Sequence, residues 1–272
     1  FLSLRSPQSD SLLKKDEMRV RVLGCHGAEL ANRKTCGFQI NESVLIDAGT
    51  ICSVLSLSEQ RRIRHILVSH IHLDHTKGLA SFSENLQAEA SNTSVTLIGL
   101  KTVLDGLKKY FFNDHLWPDF TRLPDKNNPV FRMKALTEGK SYQIDALEIK
   151  TYAVNHTVPS SGFIVREKNT ALLYSGDTHQ TETLWKAAAE EPDLKAALIE
   201  VSFPNALADL AYESGHLTPS LLKQEFFKIG RPQLPLYAYH MKPRYLQEIE
   251  KELAALDLPH LTLLKDGMIL DF

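Results

Sequence analysis

Apolar residues recur along the chain in two patterns, which predict strands interspersed with helices. Short runs that alternate apolar and polar residues, or that are apolar throughout, predict β-strands. These strands are predicted at 18–23, 38–40, 43–47, 66–69, 94–99, 142–144, 147–154, 162–165, 171–175, 196–200 and 236–240. Longer segments with apolar residues three or four positions apart predict helices. These helices are predicted at 51–63, 79–90, 101–112, 181–190, 219–229 and 244–255.

Turn and capping residues mark the borders of several of these elements. Thr218 followed by Pro219 is typical of a helix start, and Gly230 is expected to end that helix. Residues 167–169 predict a hairpin turn, and Asp266-Gly267 predicts a final hairpin near the end of the chain. The stretch between these elements at 113–128 is predicted to be irregular.

The predicted strands form two series, and helices are interspersed in both. The simplest packing is an α/β architecture with two mixed sheets face to face and helices on the outer faces. The sequence shows no linker rich in Gly, Pro or Ser and no repeat, so we predict one domain over residues 18–272. Residues 1–17 are predicted to be a loose N-terminal segment, because the chain begins with a polar stretch that lacks a pattern.

Composition limits the classes of function. The 272 residues are 43% hydrophobic and carry a formal net charge of −2, which argues against a general nucleic-acid binder. No apolar run in the sequence approaches the length of a membrane span, so no membrane partner is expected. The three cysteines, Cys25, Cys36 and Cys52, lack a disulfide spacing and predict free core thiols in the cytoplasm. A periplasmic location is the alternative if a leader has been removed.

The densest chemistry in the sequence lies in Ser69–His75, directly after an apolar run. His70 and His72 are two positions apart, so they point to the same side of an extended strand end. Asp74 and His75 follow on the turn and can face a second position. Such a concentration of nitrogen and oxygen donors is typical of a site for one or two divalent transition metals.

Four groups this close together cannot all bind one ion with good geometry, so distant residues must complete the ligand set. Candidates at the ends of predicted strands are His156, Asp177 and His240. Isolated histidines are more often exposed or structural. We assign that role to His65, His179 and His260, and leave His26 and His115 open.

The series from His70 to His75, with His156, Asp177 and His240, resembles the signature of the metallo-β-lactamase superfamily. The resemblance covers nearly the whole chain and implies an αβ/βα sandwich with a two-metal site between the sheet ends. It implies a first metal held by His70, His72 and His156, a second held by Asp74, His75 and His240, and Asp177 as the bridge. The expected cofactors are two divalent ions, with Zn²⁺ first and Mn²⁺ or Fe²⁺ as alternatives.

Segments outside the ligand set resemble phosphodiesterases of this superfamily. Gly215–Pro219 and Tyr239–Tyr245 resemble both the long tRNA 3′-processing endonucleases and the class II cyclic-nucleotide phosphodiesterases. Gly78–Ser83, Phe112–Phe120 and Glu200–Asn205 are similar to the second group. The sequence also shows no long basic or Gly/Pro-rich arm of the kind that the endonucleases use to grip tRNA.

We therefore predict a two-metal phosphodiesterase that converts 3′,5′-cyclic nucleotides (cAMP, cGMP or both) to nucleoside 5′-monophosphates. The attacking group is predicted to be a hydroxide that bridges the metals. A tRNA 3′-processing endonuclease or another phosphodiesterase of this fold is the first alternative. A lactonase or thioesterase, and a non-catalytic metal-binding protein, come after it. The expected partner is a small cyclic nucleotide rather than a nucleic acid, and a homodimer is left open beside a monomer.

Three residues are predicted to assist the reaction. His216 is not needed as a ligand and precedes a helix N-terminus, so it is the predicted general acid. Glu200, at the end of a buried strand, is predicted to orient His216, and Asp74 to help orient the attacking hydroxide.

Contacts to the substrate are predicted at two places. Phe112, Trp117 and Phe120 offer apolar rings for stacking on the base, with Asn113 as a partner for its edge. Thr178 and Ser161 are predicted to donate hydrogen bonds to phosphate oxygens.

Overall fold

Fourteen strands form two seven-stranded sheets in the computed structural model, which describes residues 18–88 and 94–272. The predicted N-terminal segment 1–17 lies outside the described residues. The first sheet contains β1 (Arg19–Gly24), β2 (Gly37–Ile40), β3 (Val44–Ile46), β4 (His65–Leu67), β5 (Val95–Leu100), β6 (Phe131–Leu136) and β14 (Ile269–Asp271). The second contains β7 (Tyr142–Ile144), β8 (Leu147–Val154), β9 (Ser160–Glu167), β10 (Thr170–Tyr174), β11 (Leu194–Glu200), β12 (Leu236–Tyr239) and β13 (Leu261–Leu263).

Each sheet is parallel on one side and antiparallel on the other. The first has the order β14-β1-β2-β3-β4-β5-β6, and its parallel part runs from β3 to β6. The second has the order β13-β12-β11-β10-β9-β8-β7, and its parallel part runs from β13 to β10. Parallel neighbours end at the same edge of a sheet, and loops that follow such ends are the usual place for binding groups.

Three layers of apolar side chains hold the sandwich together. The central layer lies between the sheets and includes Phe38 and Tyr174. Phe82 belongs to the layer under the helices of the first sheet, and Trp185 to the layer under those of the second. The helices are α1 (Leu57–Gln60), α2 (Leu73–Thr76), α3 (Gly78–Ala88), α4 (Lys101–Tyr110), α5 (Thr183–Glu190), α6 (Ala208–Ser214), α7 (Pro219–Phe227) and α8 (Leu246–Ala254).

Local signals predicted most elements, and the structure corrects several. The helix expected at 51–63 is a turn followed by the short α1, and β6 and α6 were not predicted. The helix that Thr218-Pro219 predicts is present as α7, with the Thr218 side chain accepting a hydrogen bond from the Leu221 N–H. The hairpin at 167–169 is also present, because β9 and β10 pair antiparallel.

The hairpin predicted at Asp266-Gly267 is wrong. The strands on either side of this turn belong to different sheets, because β13 pairs with β12 and β14 pairs with β1. The turn therefore carries the chain from one sheet to the other. Asp266 fixes it there by accepting hydrogen bonds from the backbone N–H groups of Cys25 and Lys34.

No helix in the described ranges combines the length and the apolar character that crossing a bilayer would need.

Candidate metal centre

Carboxyl ends of strands from both sheets bring the candidate ligands together. The loop after β4 carries His70 and leads into α2, which holds Asp74 and His75. Asp177 follows β10, and His240 follows β12. His156 follows β8, so residues far apart in sequence meet where the two sheets face each other.

The candidate ligands form two groups, and Asp177 of the second group lies near the first. Donor atoms of His70, His72 and His156 lie within 4.8 Å of one another, and so do those of Asp74, His75, Asp177 and His240. Asp177 Oδ2 lies 3.6 Å from His70 Nε2, 3.2 Å from His75 Nε2 and 3.1 Å from His240 Nε2. One carboxylate oxygen thus contacts members of both groups, which is the position that a bridging ligand requires.

The residues present fit a pair of divalent cations. Among the described residues, His70 Nε2, His75 Nε2 and both carboxylate oxygens of Asp177 are buried without a hydrogen-bond partner. Leaving buried polar atoms without a hydrogen-bond partner costs free energy. Their convergence on one point therefore fits the binding of a cation. Imidazole and carboxylate are donors that Zn²⁺ and related metals take.

A buried carboxylate, Asp47, supports two of the candidate ligands from behind. Its side chain lies 2.7 Å from His75 Nδ1 and accepts hydrogen bonds from Ser69 Oγ at 2.8 Å and from the Tyr174 hydroxyl at 2.6 Å. Ser69 Oγ in turn lies 3.0 Å from His70 Nδ1. Such contacts fix which ring nitrogen faces a metal. Asp47 was not predicted as a site residue, although it follows the buried strand β3 just as Asp177 follows β10.

A second buried carboxylate, Glu200, supports His216 and His240. It lies 2.8 Å from His216 Nδ1 and accepts a hydrogen bond from Ser202 Oγ at 2.9 Å. Ser202 Oγ lies 2.7 Å from His240 Nδ1, so Glu200 is linked to a candidate ligand as well as to His216. The predicted pairing of Glu200 with His216 is present in the structure, and Ser202 was not predicted.

The segment Gly215–Pro219 begins with glycine because its backbone is left-handed and lies close to His156. It ends α6 with a φ of 69°, and a Cβ there would lie 2.8 Å from His156 Nδ1. His156 Nδ1 donates to the Gly215 carbonyl at 2.8 Å. This close approach sets the orientation of the His156 ring and places His216 next to it, with ring centroids 5.0 Å apart.

Burial and neighbouring charges shift the pKa values of the candidate ligands. Burial lowers the pKa of His156 to about 4, and it also lowers the pKa of His70 and His72. Neutral imidazoles at these positions are ready to bind a cation. Burial alone would raise the pKa of Asp177, but His240 and His75 outweigh burial and hold this pKa well below its usual range.

Two of the predicted substrate contacts are corrected on the second sheet. Ser161 and Thr178 are fully buried. The Ser161 hydroxyl donates to the Ser69 carbonyl, and the Thr178 hydroxyl donates to the His179 carbonyl. Both hydroxyl protons are used within the protein, so these side chains hold loops in place and do not reach a phosphate.

The aromatic segment 112–120 is also corrected. Phe112 and Phe120 lie in the core under α3 and α4, with 1% and 2% of their surfaces exposed. The partly exposed Trp117 packs against the same core and donates its indole N–H to Ser83 Oγ at 3.2 Å. The Asn113 side chain bonds three backbone groups of its own turn. Phe112 and Phe120 are therefore not available for stacking on a base, whereas Trp117 keeps part of its ring exposed.

The remaining histidines and cysteines contact protein groups. His65 lies 3.4 Å from an Asp145 oxygen, His179 packs edge-on against Tyr212, and His260 lies 2.8 Å from Gln233. The cysteines are free thiols, and Cys25 and Cys36 are buried as predicted. Burial raises the pKa of Cys36 well above its usual value, although the thiol lies near His75 and His240.

Comparison with known proteins points to one family. The family model described as "cAMP phosphodiesterases class-II" matches residues 53–242. A Yersinia pestis protein titled "Probable 3′,5′-cyclic-nucleotide phosphodiesterase" is 29% identical over 214 residues, which cover 69% of this chain and 60% of that protein. This chain therefore spans less than two thirds of that relative's length. A Metallosphaera sedula protein titled "Ribonuclease Z" is 24% identical over 162 residues, covering 57% of this chain and 51% of that one.

Solved structures establish the fold. The crystal structure titled "unliganded yeast PDE1" superposes with a TM-score of 0.80 at 20% identity and covers 94% of this chain and 100% of that one. The metallo-β-lactamase fold protein YhfI from Bacillus subtilis superposes with a TM-score of 0.75 at 16% identity, with coverages of 94% and 100%. The predicted metallo-β-lactamase-type sandwich is thereby confirmed.

Proposed function

The chain belongs to the class II cAMP phosphodiesterase family, and from this premise we propose that it hydrolyses 3′,5′-cyclic nucleotides to nucleoside 5′-monophosphates at a two-metal site. The observation that carries the proposal is the convergence of two His/Asp groups on Asp177, with buried donor atoms that lack partners. A cyclic phosphodiester is anionic, and this cluster is built to hold positive charge at one point between the sheets.

We propose that His70, His72 and His156 hold one divalent cation, that Asp74, His75 and His240 hold another, and that Asp177 bridges them. When bound, the cations would neutralise phosphate charge and supply a hydroxide near neutral pH. Asp47 and Glu200 contribute by fixing ring orientation from behind the ligands. Asp74 lies 3.2 Å from His240 Nε2, and we propose that it also helps to orient the attacking group.

His216 supplies the proton for the O3′ leaving group in this proposal. Its Nδ1 faces Glu200, which leaves Nε2 to donate to the substrate. Burial lowers the pKa of His216, but the charge and hydrogen bond of Glu200 outweigh burial and raise the pKa above its usual value. A protonated His216 near neutral pH suits a general acid, because the acid must carry its proton before the P–O3′ bond breaks.

Glu200→Gln tests this arrangement through the pH profile. The amide keeps the shape but removes the charge, so the pKa of His216 should fall. A general acid works below its pKa, so the basic limb of the kcat profile should move to lower pH. Turnover near neutral pH should drop by roughly 10- to 100-fold with metal content retained. Glu190→Gln, on the exposed side of α5, is the matched control, and an unmoved basic limb would contradict this role for Glu200.

Turnover of a substrate panel tests the proposed function itself. Purified protein is assayed with cAMP, cGMP, bis(p-nitrophenyl) phosphate and a 3′-extended tRNA under one set of metal conditions. We expect hydrolysis of at least one cyclic nucleotide to the 5′-monophosphate. Turnover of the generic diester with neither cyclic nucleotide would overturn the proposal. Cleavage of the tRNA alone would favour the endonuclease alternative, which the ribonuclease Z relatives support.

Four finer points belong to the same proposal. Zn²⁺ is the first candidate metal, with Mn²⁺ or Fe²⁺ as alternatives, since the same donors suit all three. A homodimer and a cytoplasmic location stay predictions, the second based on the free thiols Cys25, Cys36 and Cys52. One domain over residues 18–272 is consistent with a sandwich whose last strand, β14, pairs with its first, β1.

A further inference from the structure

An apolar cavity of about 370 Å³ opens beside the candidate metal centre. Its walls include Leu30 from the loop between β1 and β2, and Pro243 and Tyr245 from the segment between β12 and α8. Leu30 is 59% exposed, so its side chain is accessible to a ligand in the cavity. Pockets of this size and apolar character are typical of small-ligand sites.

Phe203 connects this cavity to the catalytic groups. Its ring centroid lies 5.8 Å from that of His216 and 5.9 Å from that of Tyr245. The loop that carries Leu30 is equally close to the metal centre, because a Cβ at Gly27 would lie 2.6 Å from the His240 carbonyl. The cavity therefore adjoins His216 through the Phe203 ring.

Positive charge surrounds the cavity. Lys242 lies over the Phe203 ring at 5.5 Å and donates to the Gly27 carbonyl at 3.0 Å, which ties the two walls together. The Arg244 guanidinium lies 5.9 Å from the Tyr245 ring. Glu29, which also lines the cavity, forms an ion pair with Lys77, the residue that follows α2. An anionic ligand with a flat aromatic part suits this combination of rings and cations.

In the segment 112–120, Phe112 and Phe120 are buried in the core and Trp117 is only partly exposed. We propose that the cavity formed by Leu30, Phe203, Pro243 and Tyr245 binds the nucleobase of the substrate, with the ribose passing His216. This inference rests on the proposed function, and it makes Leu30 and Tyr245 determinants of affinity for cyclic nucleotides.

Truncation of two walls of the cavity tests the assignment. Tyr245→Ala and Leu30→Ala should each raise KM for cAMP about tenfold, the first by removing a base–aromatic contact and the second by removing apolar contact area. Both should leave hydrolysis of the methyl riboside of ribose 3′,5′-cyclic phosphate, a diester without a base or any other aromatic ring, unchanged. Leu57→Ala and Tyr110→Ala, two exposed residues on α1 and α4, are the matched controls. Thermal melting checks that every variant is folded.

Product inhibition gives a readout that does not depend on cyclic-nucleotide turnover. AMP should inhibit hydrolysis of bis(p-nitrophenyl) phosphate with a lower inhibition constant than ribose 5-phosphate, and both truncations should abolish the difference. Equal inhibition by the two compounds in the wild type, or an unchanged KM for cAMP in both variants, would overturn the cavity assignment. Failure of the wild type to hydrolyse any cyclic nucleotide would instead overturn the proposed function, and the AMP comparison would still test the cavity.

Discussion

Replacing Asp177 with Asn is expected to leave the protein with less than one bound metal per chain and to reduce turnover about thousandfold. Asp177 Oδ2 lies within 3.6 Å of His70, His75 and His240 nitrogens, so its negative charge is shared by both proposed metal positions. The amide keeps the shape of the side chain but cannot balance two cations. Metal-assisted charge stabilisation is worth several kcal/mol, and each 1.36 kcal/mol corresponds to a tenfold change in rate.

Metal content by elemental analysis and kcat on the same preparation measure this effect. Asp271→Asn is the control, because Asp271 is an exposed carboxylate on β14 paired with Arg19. Metal removal by a chelator should lower the Tm of the wild type and leave the Tm of Asp177→Asn almost unchanged, since a ligand stabilises only a protein that binds it. A variant that retains two metals per chain would refute the bridging role.

Replacing His216 with Ala is expected to reduce cAMP turnover by roughly 100- to 10,000-fold while metal content stays at the wild-type value. The loss should depend on the leaving group. The O3′ alkoxide of a cyclic nucleotide needs a proton when it leaves, whereas p-nitrophenolate is stable without one. We therefore expect bis(p-nitrophenyl) phosphate to be hydrolysed by the variant at close to the wild-type rate.

The ratio of the rates on cAMP and on bis(p-nitrophenyl) phosphate distinguishes loss of the general acid from a structural change in the site. Loss of His216 leaves Glu200 buried without its partner, so His216→Asn, which can still donate to Glu200, is measured in parallel. His260→Ala, which removes a histidine that contacts Gln233 outside the site, is the control. Equal loss of activity on both substrates would show that His216 has a structural role or contacts the phosphate, and would remove it as the general acid.

Residue types in order along the chain predicted much of the site. The His70–His75 cluster stands out because packing gains nothing from three imidazoles and an aspartate at the end of a buried strand. The structure brings His156, Asp177 and His240 to this cluster, and each follows a predicted strand. Strand ends are readable from periodicity, and the carboxyl ends of parallel strands meet at one edge.

Tertiary packing determined the exposure of the predicted substrate contacts, which the periodicity of the sequence does not show. Phe112 and Phe120 have the composition of a stacking surface, but they fill the core under α3 and α4. The hydroxyls of Ser161 and Thr178 donate their hydrogen bonds to neighbouring backbone carbonyls. A sequence records which groups a side chain carries, whereas its exposure and its hydrogen-bond partners depend on segments that are distant in sequence.

The sequence by itself determined the candidate ligands, their order and the two series of strands, because these depend on residue type and strand period. It also predicted the pairing of His216 with Glu200, which the structure contains. Only the tertiary structure decided that Asp47 supports His75 and that Asp266 lies in a crossing between sheets. It also decided that the cavity at Leu30 and Tyr245 lies beside His216. These features arise where loops from both sheets converge, and no local pattern reports which loops will meet.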